Sequence, residues 1–123
     1  MLGDCARVLR PGGAIAIVVP NVESLACRVL HEQARTFDGR NHLIYFSPST
    51  LADMLRRCGF EPTRIWTKVS SLDPVIEYLG YEQPYSDANL SGDSVLARLR
   101  AQLEPLVEQL ELGYKLHCVA TKT

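Results

Sequence analysis

The chain has no C-x-x-C pair. Its four cysteines, Cys5, Cys27, Cys58 and Cys118, are scattered, and a zinc site needs ligands at close, repeated spacing, so no metal-ligand set is expected. Three of the four fall on the apolar stripes of predicted elements, where a thiol acts as a small core residue. His31-Glu32 begins the H-E-x-x of a zinc protease, but Arg35 stands where the second histidine is needed. Charge of one sign is also missing: thirteen Lys and Arg oppose fourteen Asp and Glu, for a net charge of -1. Without a basic stripe, the electrostatic footprint of a nucleic-acid partner is absent. No apolar run approaches the roughly 20 residues that cross a bilayer; the longest is Ala14 to Pro20. Nor does it read as a signal peptide, because Gly12-Gly13 precedes it and Asn21-Val22-Glu23 follows. A cytoplasmic chain without membrane partners is the expectation, which also empties the Asn89-Leu90-Ser91 glycosylation pattern of meaning. No internal repeat and no low-complexity segment occurs.

What is present is a globular composition, 46% hydrophobic over 123 residues, sufficient for a single domain with a real core. Asp4 to Leu9 reads as the last turns of a helix, stopped by Pro11-Gly12-Gly13. Ala14 to Val19 is apolar at every position, a pattern that points to a parallel strand buried on both faces. Pro20-Asn21 ends it, and Asn21 is placed to cap a helix from Val22 to about Ala34. Thr36 to Ile44 is a polar loop turning at Gly39. Ser47 as N-cap and Pro48 at the first position then open a helix whose stripe is Leu51, Met54, Leu55 and Cys58, with Gly59 at its end. A strand within Phe60 to Val69 is more polar and so belongs near a sheet edge. A short helix from Asp73-Pro74 to Leu79 and an aromatic loop precede a long helix, Val95 to Leu110, which Pro105 should kink and Gly113 close. Tyr114 to Thr121 is the last strand. Alternating helices and strands predict an α/β fold.

R-V-L-x-P-G-G (Arg7 to Gly13), an apolar strand, Pro20-Asn21, H-L-I-Y-F-S-P (His42 to Pro48) and C-G-F-E (Cys58 to Glu61) together resemble the second half of the class I S-adenosylmethionine-dependent methyltransferases. The similarity is to the small-molecule group that includes ubiquinone-biosynthesis O-methyltransferases and enzymes of sugar and glycan gene clusters. It is detailed from Arg7 to Trp66 and faint beyond. The resemblance implies a partial Rossmann-like sheet: Ala14–Val19 matches the family's fifth strand, Thr63–Lys68 its sixth, and Lys115–Thr121 its seventh, inserted antiparallel beside the fifth. Residues 1–69 are then the well-matched part, 70–113 a helical insertion and 114–123 the terminal strand. In the family the fifth strand is buried because a fourth flanks it on one side and the seventh on the other.

Three residues match family features that face the reaction centre. Asn21 either offers its amide to substrate or caps a helix. His42 either deprotonates an acceptor hydroxyl or holds its loop. Of Tyr45 and Phe46, one enters the core and the other, with Tyr45 the substrate-binding candidate, lines the cleft. Tyr78, Tyr81 and Tyr85 either lid a pocket or pack a connecting helix. The family's glycine-rich turn after its first strand and the ribose-binding acid after its second have no counterpart here, since Gly12-Gly13 precedes a strand. No cofactor-binding residue is transferred. The expectation is the carboxyl-terminal portion of a methyltransferase for a small or sugar- or lipid-linked acceptor, which alone neither binds S-adenosylmethionine nor turns over. The alternative is a non-catalytic, degenerate domain that serves as a partner subunit. In either case the open strand edge should meet a second copy or the missing amino-terminal half.

Overall fold

A computed structural model describes residues 1–81 and 95–123. The first helix, α1, spans Leu2–Val8 and is stopped by the Pro-Gly-Gly turn. Gly12 there holds a positive φ of 80°, which a side chain would resist. The turn delivers the chain into strand β1, Ala14–Pro20. Helix α2 covers Leu25–Leu30 and is followed by two short 3-10 turns, His31–Gln33 and Arg35–Phe37. Helix α3, Pro48–Arg57, leads into strand β2, Phe60–Lys68. Helices α4, Asp73–Tyr81, and α5, Val95–Gln109, fill the connection to the last strand, β3, Lys115–Lys122. No helix among the described residues is long and apolar enough to cross a membrane.

The three strands form one sheet in the order β1-β3-β2, with β3 antiparallel to both neighbours. The fold is therefore α/β, with an antiparallel three-stranded sheet whose two outer strands run the same way. Register is set by the apolar pattern, because a one-residue slip would turn every core side chain outward. Ile17 pairs with Cys118 and Cys118 with Ile65, so all three point to one face. On that face Leu51 and Leu55 of α3 and Phe60, Leu116, Cys118 and Ala120 of the sheet are buried. Burial pushes the Cys118 thiol up, which marks it as an inert core group rather than a nucleophile. Lys122 closes the arrangement by donating from Nζ to the carbonyls of Ala6 and, at 2.6 Å, Leu9.

Several expectations hold and others are corrected. The α3 start is as read: the Ser47 hydroxyl accepts from the Thr50 N–H while the Thr50 hydroxyl takes the Ser47 N–H, a reciprocal cap. β2 is an edge strand with a bulge between Pro62 and Arg64, where a missing donor does no harm. β1 is not a parallel strand buried on both faces. Its described pairing is with β3 alone, and its second face is open, with Val18 56% exposed. The run is apolar throughout, but only Ile15, Ile17 and Val19 reach the core. Met54 is likewise exposed rather than part of the α3 stripe.

The helix expected from Val22 to Ala34 is cut at both ends. Its cap is Ser24, whose hydroxyl accepts from the Cys27 N–H at 3.3 Å, and His31 takes φ of 49°, which ends it. Gly113 is not a helix stop, since α5 finishes at Gln109. It is a point of close approach, where a Cβ would come within 2.7 Å of the Lys68 backbone. Pro105 lies inside α5, which continues through it as one helix.

Candidate functional site

Register places three chain ends together. Lys115, at the start of β3, pairs with Pro20 at the end of β1 and with Lys68 at the end of β2. In open α/β sheets ligands bind beyond the carboxyl ends of the strands, because the connecting loops diverge there. A groove of about 820 Å³ lies among the segments that leave this edge, within the size range of small-molecule sites. The α2 region contributes Ala26 and Leu30, and the turns after it Gln33 and Arg35. Ser70 and Ser71 come from the segment after β2; Pro74, Glu77 and Tyr78 from α4; and Tyr114 from the residue before β3. Leu30 is buried in a small cluster with Cys27 and Ala34, against which Ala26 and Tyr78 pack. The groove thus has an apolar base and a polar rim.

The walls are held firmly. Ser71 donates from its hydroxyl to Asp73 Oδ2 at 2.7 Å and accepts the Asp73 N–H at 3.0 Å, fixing the start of α4. Glu108 of α5 accepts from Lys68 Nζ at 2.7 Å and from the Val69 N–H at 2.9 Å. The lysine bond first, then the backbone bond, holds the Glu108 carboxyl below the usual range. The Gly113 N–H donates to the Thr67 hydroxyl at 3.0 Å, so the approach to Tyr114 is tied to β2.

Asn21 is the centre of this bracing. It is wholly buried, and its Nδ2 donates to the carbonyls of Glu111 and Gly113, both at 3.0 Å. Its Oδ1 accepts from the Glu23 N–H at 3.1 Å. Every hydrogen-bonding atom of the amide except one oxygen lone pair is engaged by backbone, and the side chain lines neither the groove nor a smaller depression beside α2. It does not cap α2, whose cap is Ser24; it locks the end of β1 to the strand-entry turn of β3. Beneath it, Cys27 Sγ contacts Asn21 O at 3.6 Å and Thr36 Oγ1 at 3.4 Å, so this thiol too is structural.

His42 and Tyr45 sit on a different feature, the loop organised by Asp38. That carboxylate accepts from the backbone N–H groups of Arg40 (2.9 Å), Asn41 (3.0 Å) and His42 (3.2 Å) and from Asn41 Nδ2 (2.9 Å). These bonds, led by that from Arg40, drive the Asp38 carboxyl far below the usual carboxylate range. His42 is half-buried and Tyr45 packs edge-on against Phe37 at 5.2 Å. Phe46 enters the core. Neither His42 nor Tyr45 lines the large groove or the smaller, 430 Å³ depression beside α2. Of the tyrosine trio, Tyr78 lines the groove, the Tyr81 side chain is not described, and Tyr85, like Asn89, lies outside the described residues.

Gln33, Arg35, Ser70, Glu77 and Tyr114 belong to no sequence motif, yet they line the groove. The signal for them is positional: once β3 reverses between β1 and β2, the residues just after Lys68 and just before Lys115 must share one edge. No three or more His, Cys, Asp and Glu gather to hold a metal among the described residues. Gly12-Gly13 lies at the amino end of β1, with Gly12 donating its N–H to Lys122 O at 2.9 Å; it serves sheet closure at the edge opposite the groove and does not fit a nucleotide cradle. No protein-family model and no curated protein matches the chain.

Proposed function

We propose that these residues form the carboxyl-terminal, acceptor-side half of an S-adenosylmethionine-dependent methyltransferase domain for a small molecule. The observation that carries the reading is the strand order β1-β3-β2. The terminal strand lies antiparallel beside the strand that follows R-V-L-x-P-G-G, the arrangement the resemblance implied. The uncovered edge of β1 supports it further. The Asn21 N–H reaches Tyr114 O, and Gly13 O accepts from Lys122. Odd-numbered residues of β1 therefore face β3, and alternation turns the N–H groups of Ala14, Ala16 and Val18 outward. An uncharged edge of this kind is a hazard unless covered, and in this reading a preceding strand covers it.

The chain's own contribution is to seat and orient the acceptor in the groove, the part of such a reaction that rests on positioning. The residues described here do not fit the methyl donor, so no step is derived through it. His42, the base the resemblance suggests for a hydroxyl acceptor, stands on the Asp38 loop outside the groove wall, so this reading assigns it no proton transfer from an acceptor seated there. The test is the reading frame upstream of the Met1 codon. It should encode a strand, a Gly-x-Gly turn and, after the next strand, an acidic residue. Stop codons throughout that frame would overturn the reading as half of a working enzyme.

A further inference from the structure

The rim of the groove carries more hydrogen-bonding capacity than an apolar ligand could satisfy. Arg35 and Glu77 each line it with an exposed side chain, and neither forms an ion pair with another described residue. Gln33 and Ser70 add an amide and a hydroxyl. The tyrosines Tyr78 and Tyr114 offer ring surface above an apolar base.

Each of these groups selects a different part of a ligand. A guanidinium binds carboxylate or phosphate through two parallel N–H bonds. A carboxylate without a basic partner accepts from hydroxyls, and it repels an anion, so Arg35 and Glu77 must receive different ends of one molecule. Aromatic faces suit a ring with an apolar side. A simple aromatic acid with one hydroxyl would engage Arg35 and the tyrosines and offer little to Gln33, Ser70 and Glu77, whereas a ring with several hydroxyls gives each of them a partner. We infer that the groove takes a hydroxylated sugar ring bearing a carboxylate or phosphate, its anion on Arg35, its hydroxyls on Glu77 and its face against the tyrosines. The inference rests on the reading above only in taking this sugar as the methyl acceptor.

The test is a titration of the isotope-labelled 123-residue chain with glucuronate, glucose 6-phosphate and glucose, followed by NMR. Saturable shifts should centre on Ala26, Arg35, Tyr78 and Tyr114, with at least one anion binding about tenfold tighter than glucose, the worth of one charge-assisted contact. An advantage for either anion supports the inference, and the stronger one names the substituent. Arg35→Gln, with the rest of its spectrum unchanged, should erase that advantage, and Glu77→Gln should weaken the anions and glucose alike. Glucose binding as tightly as both anions, or shifts confined to residues outside the groove, would overturn it. Sugar binding that persists although the upstream frame encodes no donor site would leave this inference standing and remove the methyltransferase reading.

Discussion

Replacing Asn21 with alanine removes the amide that joins the end of β1 to the entry of β3. Three bonds are lost: Nδ2 to Glu111 O and to Gly113 O, and the Glu23 N–H to Oδ1. A typical intramolecular bond contributes about 1 kcal/mol net, so the direct loss is about 3 kcal/mol. The bond to Gly113 O is buried, and an acceptor left dry adds about 1 kcal/mol or more. About 4 kcal/mol is therefore expected, a large part of the roughly 5 to 15 kcal/mol that holds an ordinary domain together. The assay is urea unfolding, followed by fluorescence of the single tryptophan, Trp66, and by far-ultraviolet circular dichroism. Asn21→Asp sharpens the test, because a carboxylate oxygen would then face two carbonyls. Its folded-state pKa should rise above the unfolded value of about 3.9. The sign follows: the variant's deficit is full above the folded pKa and shrinks as pH falls toward the unfolded value, where a protonated oxygen can donate again. A loss below about 1 kcal/mol for Asn21→Ala would refute the bracing role and return Asn21 to the substrate candidates.

Other outcomes follow from the same contacts. The depressed Asp38 carboxyl stabilises its loop at neutral pH, and that contribution is lost progressively as pH falls from about 4, the unfolded value, toward the lower folded one; the protection of the Arg40, Asn41 and His42 amides, taken relative to the unstructured chain at the same pH, should fall there, and Asp38→Asn should lower it at pH 7. Gly113→Ala places a methyl against the Lys68 backbone and should cost about 1 to 3 kcal/mol in the same urea assay. Val18→Lys, at an exposed edge position, should change the unfolding free energy by no more than about 0.5 kcal/mol while reducing self-association seen by sedimentation. Leu55→Ala, at a site with no exposure, should cost about 2 to 5 kcal/mol.

Local signals read cleanly where one residue decides the geometry. Ser47-Pro48 starts a helix because a hydroxyl cap and a preset φ suffice, and Gly12 turns the chain because little else tolerates its φ. Local chemistry decides less where distant residues compete for the same group. Asn21 is as good a cap as Ser24 by local chemistry, but two carbonyls about 90 positions away claim its amide. Gly113 has the local pattern of a helix stop, because nothing nearby in sequence announces the Lys68 backbone against it. β1 is apolar on both faces, so its composition describes an environment that these residues supply on only one face. The groove was illegible for a related reason: Arg35, Ser70, Glu77 and Tyr114 meet only after β3 reverses between the outer strands, a fact of topology rather than of any motif.

The proposed division of labour between acceptor side and donor side is tested most directly by calorimetric titration with S-adenosylhomocysteine. It should be run on the 123-residue chain and on the same chain extended by whatever the open frame upstream of Met1 encodes. No binding to the first and micromolar binding to the second is the predicted result. Micromolar binding to the 123 residues alone, or none to either, would contradict the account.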